Sequence, residues 1–324
     1  MKPNDSNPLL ANAEGIVIPD PTALIRLRHS ARELNLFPRR QALSSQGGGY
    51  RSRFRGRGME FDEVRPYQPG DDVRSIDWRV TARTNTTHTK IFREERERPV
   101  LIAVDLRSSM FFGSQRLKSM VACDIAALLA WAGINANDRV GGLVFSPAAQ
   151  RDSRSHKSHH SVLRMIQHLG EACTELAQSQ ASGTADNLSL ASILEECRRV
   201  ATPGATLVII SDFHDLDGDC EKHLFELARH CDVSLCRIHD PLEEELPPPG
   251  LYGISVGADS QMLDSRDGKA RERFGNLFRQ RQSALAALGR RLALPVLEFA
   301  SHQPVLPVLR RAFAHHRKLP RSMQ

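Results

Sequence analysis

From residue 100 to residue 300, apolar segments of strand length alternate with amphipathic segments of helix length. Four of the strand segments are VLIAVD at 100–105, RVGGLVFS at 139–146, ATLVIISD at 205–212 and DVSLCRIH at 232–239. In the first helix-length segment, Val121, Ile125 and Leu128 recur at the spacing of one helix face. Strands that alternate with helices form parallel sheets covered on both faces. The pattern therefore predicts an α/β fold with a doubly wound, mostly parallel sheet.

Two of these strand segments end in an aspartate, Asp105 and Asp212. In parallel α/β sheets, sites form beyond the carboxyl ends of the strands. Ser109 follows in DLRSSM, and Thr184 precedes a predicted helix in ASGTADNLSL. Carboxylate and hydroxyl oxygens from separate loops suit the octahedral coordination of Mg²⁺. The sequence therefore predicts Asp105, Ser109, Thr184 and Asp212 as metal ligands.

Together these pieces resemble the metal-ion-dependent adhesion site of von Willebrand factor A domains, across residues 98–300. The segment GRGMEFDEVRPYQPGDDVRSIDWRVTAR at 56–83, with the Glu-Arg of FREERERP behind it, resembles the signature of the DUF58 family. The two resemblances imply a sheet of von Willebrand factor A type and a small N-terminal β-rich accessory region. The expected divisions are a tail and helix at 1–44, the accessory region at 45–97, and an A-like domain at 98–324 with a hairpin insertion near 250–267.

The DUF58 resemblance also implies a function. Genes of this family commonly neighbour those of MoxR-type AAA+ ATPases, and an adaptor or assembly role is inferred for its members. The resemblance thus implies a non-enzymatic adaptor that binds a MoxR-type AAA+ ATPase and a client protein. Its pathway would be protein maturation or complex assembly.

Many members of that family carry N-terminal transmembrane helices. In this sequence no apolar run approaches the ~20 residues needed to cross a bilayer. The first ten residues, MKPNDSNPLL, lack the apolar core of a secretory signal. Six cysteines without a C-x-x-C pair are typical of reduced thiols. We expect a cytoplasmic protein whose contact with a membrane, where it has one, is peripheral and made through a membrane-protein partner.

One position departs from the adhesion-site pattern, because Arg107 stands where the resemblance implies a ligating serine. A guanidinium has five donors and no acceptor, and it stays charged, so it cannot ligate a metal. Arg107 either pairs with Asp105 or Asp212 and supplies the metal's positive charge, or turns to solvent while water replaces the missing hydroxyl. We favour pairing, and we expect Mg²⁺ or Mn²⁺ to bind weakly or not at all. Arg107 is then a partner-binding residue for an acidic side chain.

Charged residues near the Pro69-Gly70 turn of the DUF58 signature form a second predicted partner-binding set. Its members are Asp71, Asp72, Arg74, Asp77 and Arg83. The same charges would equally well lock the accessory region onto the A-like domain, and both interpretations stay open. We expect Trp78 to be the buried anchor of this region.

A basic N-terminal flank favours a different class of partner. Residues 26–65 hold ten arginines against four acids, and residues 310–321 add further cations without an acid. Within the first flank, GGGYRSRFRGRG at 47–58 interleaves Tyr50 and Phe54 with arginines, as proteins that bind single-stranded RNA or DNA do. Such flanks are also typical of solvated surfaces and of binding sites for acidic partners. Nucleic-acid binding through residues 47–58 is therefore the alternative function, and we favour the adaptor.

Enzymatic function is poorly supported. GISVG at 253–257 fits the G-x-S-x-G motif around Ser255, and Asp267 and His302 follow in the hydrolase order. That motif requires a strand before it and a helix directly after it, whereas this segment alternates apolar and small residues like one arm of a hairpin. Cysteines and histidines at 220–231 lie on a single predicted helix, and structural zinc draws its ligands from two elements. No P-loop motif occurs.

Overall fold

The computed structural model describes residues 16–34, 59–94, 99–183, 186, 188–256 and 259–313. The chain divides into two compact units. The larger unit contains residues 1–39 and 98–324, and the smaller unit contains residues 40–97. The Arg/Gly-rich segment at 47–58 and the cations beyond residue 313 lie outside the described residues.

The described residues form ten strands and nine α-helices. The strands are β1 (Met59–Pro66), β2 (His88–Glu94), β3 (Pro99–Asp105), β4 (Arg139–Phe145), β5 (Gln150–His156), β6 (Thr206–Ser211), β7 (Asp232–His239), β8 (Leu251–Val256), β9 (Asp259–Asp264) and β10 (Val296–Ala300). The helices are α1 (Pro21–Arg26), α2 (Trp78–Thr84), α3 (Lys118–Asn135), α4 (His159–Ser182), α5 (Leu190–Val200), α6 (Gly218–His230), α7 (Pro241–Glu244), α8 (Gly268–Leu292) and α9 (Val305–Phe313).

Six strands of the larger unit form one sheet in the order β10-β7-β6-β3-β4-β5. All neighbouring pairs are parallel except β4 and β5, which are antiparallel. This is the doubly wound order, in which the chain builds outward in both directions from the point between β3 and β6. The predicted α/β class with a doubly wound, mostly parallel sheet is confirmed. Ligands of such sheets bind at that switch point.

The central strand β3 is buried because both faces of the sheet are covered. Val100, Ile102 and Val104 pack into one apolar cluster, and Leu101 and Ala103 pack into the other. This alternation is the two-residue period of a strand between two layers. A continuous apolar run is what a central parallel strand requires.

Helix α3 is buried on all sides rather than along one stripe. It lies against the sheet and is also contacted by α1, α4 and α9. Trp131 of α3 donates from its indole Nε1 to the carbonyl oxygen of Leu24 in α1 over 3.1 Å. The N-terminal helix is therefore part of the larger unit's core. None of the described helices has both the length and the apolarity that a membrane crossing requires.

The smaller unit is built on the antiparallel pair β1 and β2, with α2 between them in sequence. Trp78 begins α2 and is 68% exposed, so the prediction that it is a buried anchor is wrong. The reason is that this seven-residue helix buries none of its side chains. Its two larger apolar residues, Trp78 and Val80, are two positions apart and therefore lie on opposite sides of the helix.

Candidate functional site

The carboxyl ends of β3 and β6 meet at the switch point, and an aspartate lies at the end of each strand. Asp105 ends β3, and Asp212 follows Ser211, the last residue of β6. Both aspartates are buried. Ser211 donates from Oγ to Oδ2 of Asp105 over 2.7 Å, which ties the two strand ends together. The sheet therefore brings the two predicted aspartates to one place.

Arg107 lies beside Asp105 and is only 2% exposed. Its Nε and Nη2 donate to the two carboxylate oxygens of Asp105 over 3.0 and 2.9 Å. Nη1 and Nη2 donate to Asp215 over 2.7 and 3.0 Å, and Nη1 also donates to the carbonyl oxygen of Leu188 at 3.3 Å. All five N–H donors of the guanidinium are thus used within the chain. Of its two predicted partners, Arg107 pairs with Asp105; its second partner is Asp215 rather than Asp212.

Asp215, in the loop after β6, was not singled out by the sequence. It also accepts from the backbone N–H of Leu190, the first residue of α5, at 2.9 Å. Burial alone would lower the pKa of Arg107, but the hydrogen bonds to Asp215 and Asp105 outweigh it and raise that pKa. Burial alone would raise the pKa of Asp215, but the hydrogen bonds from Arg107 and Leu190 hold it below its ordinary value. The pair is therefore charged on both sides.

A second buried cation, Lys118, holds Asp212. Lys118 is the first residue of α3 and is 0% exposed. Its Nζ lies 2.8 Å from Oδ2 of Asp212 and 2.5 Å from Oε1 of Glu243 in α7. Burial would lower the pKa of Lys118, but the charges of Asp212 and Glu243 raise it. Burial would likewise raise the pKa of Asp212, but the charge of Lys118 and a hydrogen bond to His214 hold it well below its ordinary value.

We call these six residues the switch-point site: Asp105, Arg107, Lys118, Asp212, Asp215 and Glu243. Asp105, Arg107 and Asp212 were predicted from the sequence. Lys118, Asp215 and Glu243 were not. One signal was available for Lys118, because a lysine that opens the largely apolar segment KSMVACDIAALLAWA is buried with its helix. A buried lysine requires an acidic partner.

The two predicted hydroxyl ligands differ in placement. Ser109 lies in the 3₁₀ turn Ser108–Met110, and its Oγ is buried with no hydrogen-bond partner among the described residues. Thr184 lies outside the described residues. Asp186, two positions after Thr184 in sequence, contacts the loop after β3. This carboxylate accepts from the backbone N–H of Ser108 at 3.1 Å and from its Oγ at 2.8 Å.

Phe112 and His214 form the rim of the site. Phe112 is 41% exposed, and its ring centroid lies 6.0 Å from Nζ of Lys118. His214 is partly exposed, and its Nδ1 lies 3.2 Å from Oδ1 of Asp212 and 3.6 Å from Oδ1 of Asp215. The hydrogen bond to Asp212 raises the pKa of His214. The rim thus offers an aromatic ring and an imidazole next to the buried charges.

Another buried acid, Asp240, fixes the loops around the site. It follows β7 and accepts from the backbone N–H and Oγ of Ser114 over 2.8 and 3.0 Å. It also accepts from the backbone N–H of Leu242 at 2.9 Å and from Oγ of Ser301. These bonds join the loop that carries Arg107 to the ends of β7 and β10. The loop is therefore held at Ser114, near its C-terminal end.

These contacts decide how well the site fits the divalent metal that the adhesion-site resemblance implies. Mg²⁺ needs oxygen ligands that are available for coordination. The carboxylates of Asp105 and Asp212 are instead engaged by side-chain cations and by further donors. Within the part of the chain that the structure describes, no three His, Cys, Asp or Glu side chains are grouped so as to hold a metal ion. The residues present do not fit a metal ion.

The partner-binding set predicted in the signature lies in the smaller unit, where its acids make local contacts. Asp71 pairs with an arginine of β1 over 2.8 Å. Asp72 accepts from the backbone N–H of Arg74 at 3.0 Å and caps a 3₁₀ turn, and Asp77 caps α2. Arg74 and Arg83 are exposed. The acids order the turns of the signature, and partner binding by this set stays a prediction.

The G-x-S-x-G segment lies in a hairpin. Ser255 is in β8 and pairs with Ser260 of the antiparallel strand β9. Asp267 caps α8 by accepting from the backbone N–H of Lys269 at 2.9 Å, and His302 is exposed in the loop after β10. The motif therefore lacks the strand-to-helix turn of a nucleophile elbow.

Two solved structures match part of this chain at low sequence identity. One is the conserved hypothetical protein BatB from Bacteroides thetaiotaomicron, with 14% identity, 60% of this chain and 98% of that chain covered, and a TM-score of 0.35. The other is a von Willebrand factor type A protein from Catenulispora acidiphila, which is 13% identical. The match covers 48% of this chain and 35% of that chain, with a TM-score of 0.32.

Sequence comparison assigns the family. The uncharacterized proteins Rv1480 of Mycobacterium tuberculosis and Mb1516 of Mycobacterium bovis are each 32% identical to this chain over 223 residues. The alignment covers 67% of this chain and 64% of each relative, so the chain spans about two thirds of their length. The family described as "protein of unknown function DUF58" matches residues 63–284. The chain therefore belongs to the DUF58 family.

Proposed function

We propose that this chain is a non-enzymatic interaction protein that binds a MoxR-type AAA+ ATPase at the switch-point site. It couples that ATPase to a client protein during protein maturation or complex assembly. The work takes place in the cytoplasm, and contact with a membrane is made only through a membrane-protein partner. Membership of the DUF58 family and the doubly wound sheet support this proposal.

The observation that carries the proposal is the paired, buried charge at the switch point beneath a partly exposed rim. Acid–base catalysis requires groups whose pKa lies near the working pH. Here the pKa of Lys118 is raised by the charges of Asp212 and Glu243 despite burial, and the pKa of Asp212 is lowered by Lys118 despite burial. Arg107 stays charged as well. Lys118, Asp212 and Arg107 therefore keep their charges at neutral pH. Groups of this kind are better suited to fixing the shape of a binding surface than to transferring protons.

The test is an affinity capture in which the immobilised wild-type chain and its rim variants are compared. Each is exposed to lysate of the native host, with and without ATP, and retention of an ATPase is measured. We use Phe112→Ser combined with His214→Ala, because both side chains are at the surface. Replacing Asp212 instead would leave Lys118 buried without that partner and would confuse binding with folding. Leu163→Ser in α4 is the matched control, since Leu163 is 39% exposed and Phe112 is 41% exposed.

The expected result is that a MoxR-type AAA+ ATPase is retained by the wild-type chain and by Leu163→Ser. The rim variant should lose at least tenfold in affinity, about 1.4 kcal/mol. Absence of any AAA+ ATPase from the wild-type eluate would refute the partnership. Equal capture by the rim variant and the wild type would show that the partner docks elsewhere.

A further inference from the structure

We infer that Arg107 and Lys118 together take the electrostatic place of a metal ion, so that the switch-point site is complete without a divalent cation. The inference deepens the proposed function, since it concerns the same site. It is tested by metal binding and stability rather than by partner capture, so either proposal can fail alone.

The carboxylate of Asp105 already accepts hydrogen bonds on both of its oxygens. Its Oδ1 accepts from the backbone N–H and Nε of Arg107 at 3.1 and 3.0 Å. Its Oδ2 accepts from Nη2 of Arg107 at 2.9 Å and from Oγ of Ser211 at 2.7 Å. A carboxylate offers about four lone-pair positions. Four donors already fill them, so a metal ion would have to displace the guanidinium.

The same arrangement is found at Asp212 with different residues. Its Oδ2 faces Nζ of Lys118 at 2.8 Å. Its Oδ1 accepts from the backbone N–H of His214 at 3.3 Å and lies 3.2 Å from Nδ1 of that residue. Both aspartates that would ligate a metal are therefore engaged on both oxygens.

Each cation is shared in the same way. Arg107 lies between the buried Asp105 and the partly exposed Asp215, and Lys118 lies between the buried Asp212 and the partly exposed Glu243. Two buried carboxylates at adjacent strand ends repel each other unless positive charge lies between or beside them. A divalent ion would supply that charge at one point. This chain supplies it as two single charges from two different elements.

Neither cation can leave without a cost. Arg107 and Lys118 are almost fully buried, and removal of one partner from a buried ion pair strands the other charge. If the Arg107 side chain moved into solvent, Asp105 and Asp215 would both lose their ion pair with it. Substitution of Arg107 alone would still leave Asp212 held by Lys118. Metal binding should therefore require that both cations be removed.

The experiment is calorimetric titration of MgCl₂ and MnCl₂ into the full chain, with thermal unfolding in EDTA and in millimolar Mg²⁺. The variants are Arg107→Ser, Lys118→Met and the double variant. The controls are Arg164→Ser and Lys269→Met, which change the same residue types at exposed positions. We expect no binding heat below millimolar metal for the wild type, and an unfolding midpoint that neither EDTA nor Mg²⁺ shifts.

The double variant should be less stable than the control variants in EDTA and should regain stability with Mn²⁺ or Mg²⁺. Its affinity for Mn²⁺ should exceed that of either single variant by at least tenfold, about 1.4 kcal/mol. Micromolar metal binding by the wild type, or a wild-type midpoint that falls in EDTA, would overturn the inference even if no variant folds. A double variant as stable in EDTA as the controls would overturn it too.

Discussion

At the scale of single residues, the site uses arginine and lysine for different tasks. The guanidinium of Arg107 places parallel donors on two carboxylates and a fifth donor on the carbonyl oxygen of Leu188. The ammonium of Lys118 is a compact charge between Asp212 and Glu243. A planar fork and a point charge are not interchangeable at buried positions.

We therefore expect Arg107→Lys to destabilise the chain although it keeps the charge. A lysine has three donors and no fork, so it cannot replace all the hydrogen bonds that Arg107 makes to Asp105 and Asp215. The expected loss in the free energy of unfolding is about 2 kcal/mol. Urea unfolding measures it, with the exposed Arg164→Lys as the control. A loss no larger than that of the control would mean that charge alone, without the fork, satisfies the site.

The residues of the site differ in how far the sequence could predict them. Asp105 and Asp212 could be found because each follows an apolar strand, and Arg107 because it interrupts a family pattern. Asp215 and Glu243 lie 108 and 125 positions from the cations that they bind. No local pattern relates such positions, because only the folded sheet brings them together.

At the scale of elements, the edge of the sheet depends on close approach between β4 and β5. A Cβ on Gly141 would lie 2.8 Å from the carbonyl oxygen of Ser153 and 2.9 Å from the backbone nitrogen of Ser155. Both atoms belong to the backbone of β5, so they cannot move aside as a flexible side chain can. The glycine therefore lets the antiparallel edge strand pair with β4.

Gly141→Ala should cost about 2 kcal/mol in the free energy of unfolding, because the added methyl group forces β5 outward. Gly170→Ala in α4 is the matched control, since no heavy atom lies within 4 Å of its added Cβ. That control should be stabilised by about 0.5–1 kcal/mol through helix propensity. Chemical unfolding of both variants provides the measurement. Equal effects of the two substitutions would show that β5 can shift without cost.

The same edge strand is joined to α4 by a pH-dependent ion pair. Arg151 of β5 contacts Glu175 of α4 through both terminal nitrogens. The hydrogen bond from Arg151 lowers the pKa of Glu175 below its ordinary value near 4.5; burial opposes the shift, and a hydrogen bond from Ser146 adds to it. Because the folded-state pKa is lowered, the stabilisation is present above about pH 4.5 and is lost as the pH falls through the folded-state pKa.

Glu175→Gln should therefore reduce the free energy of unfolding by about 1 kcal/mol at neutral pH, as expected for a partly exposed pair. The difference from the wild type should shrink towards zero as the pH falls below about 4.5 and through the lowered folded-state pKa of Glu175, because protonation removes the wild-type charge. Urea unfolding across that pH range tests the sign. Glu171→Gln is the control, because Glu171 contacts the same arginine but is more exposed. A difference that grows as the pH falls would contradict the assignment.

At the scale of the whole molecule, the fold class of the larger unit could be predicted from the sequence. Which segments of the chain build its core could not. Strand and helix periods between residues 100 and 300 indicated the sheet, because each element there buries its own apolar pattern. Leu24 and Ala31 also belong to this core, where Trp131 bonds the backbone of Leu24 from 107 positions away. A short N-terminal helix has too few apolar positions to indicate which element it packs against. Its place in the core is therefore known only from the structure.

The net charge of the molecule and the charge of its site have opposite signs, which bears on nucleic-acid binding. The chain carries a net charge of +6, yet the switch-point site contains four carboxylates and two cations. Such a site repels phosphates, so nucleic acid would bind elsewhere on the chain. The predicted place is residues 47–58, which lie outside the described residues. Flank arginines alone give binding that weakens steeply with salt.

We therefore expect single-stranded RNA to bind only weakly, with a Kd above about 1 μM at physiological salt. The variant in which Arg51, Arg53, Arg55 and Arg57 are all replaced by serine should still capture the ATPase as the wild type does. Electrophoretic mobility shifts at several salt concentrations, run beside the capture assay, provide both measurements. RNA binding that stays tight at physiological salt and is lost in the four-arginine variant would establish the alternative function. Such a result would show that the arginines of residues 47–58, rather than basic residues elsewhere in the chain, hold the RNA.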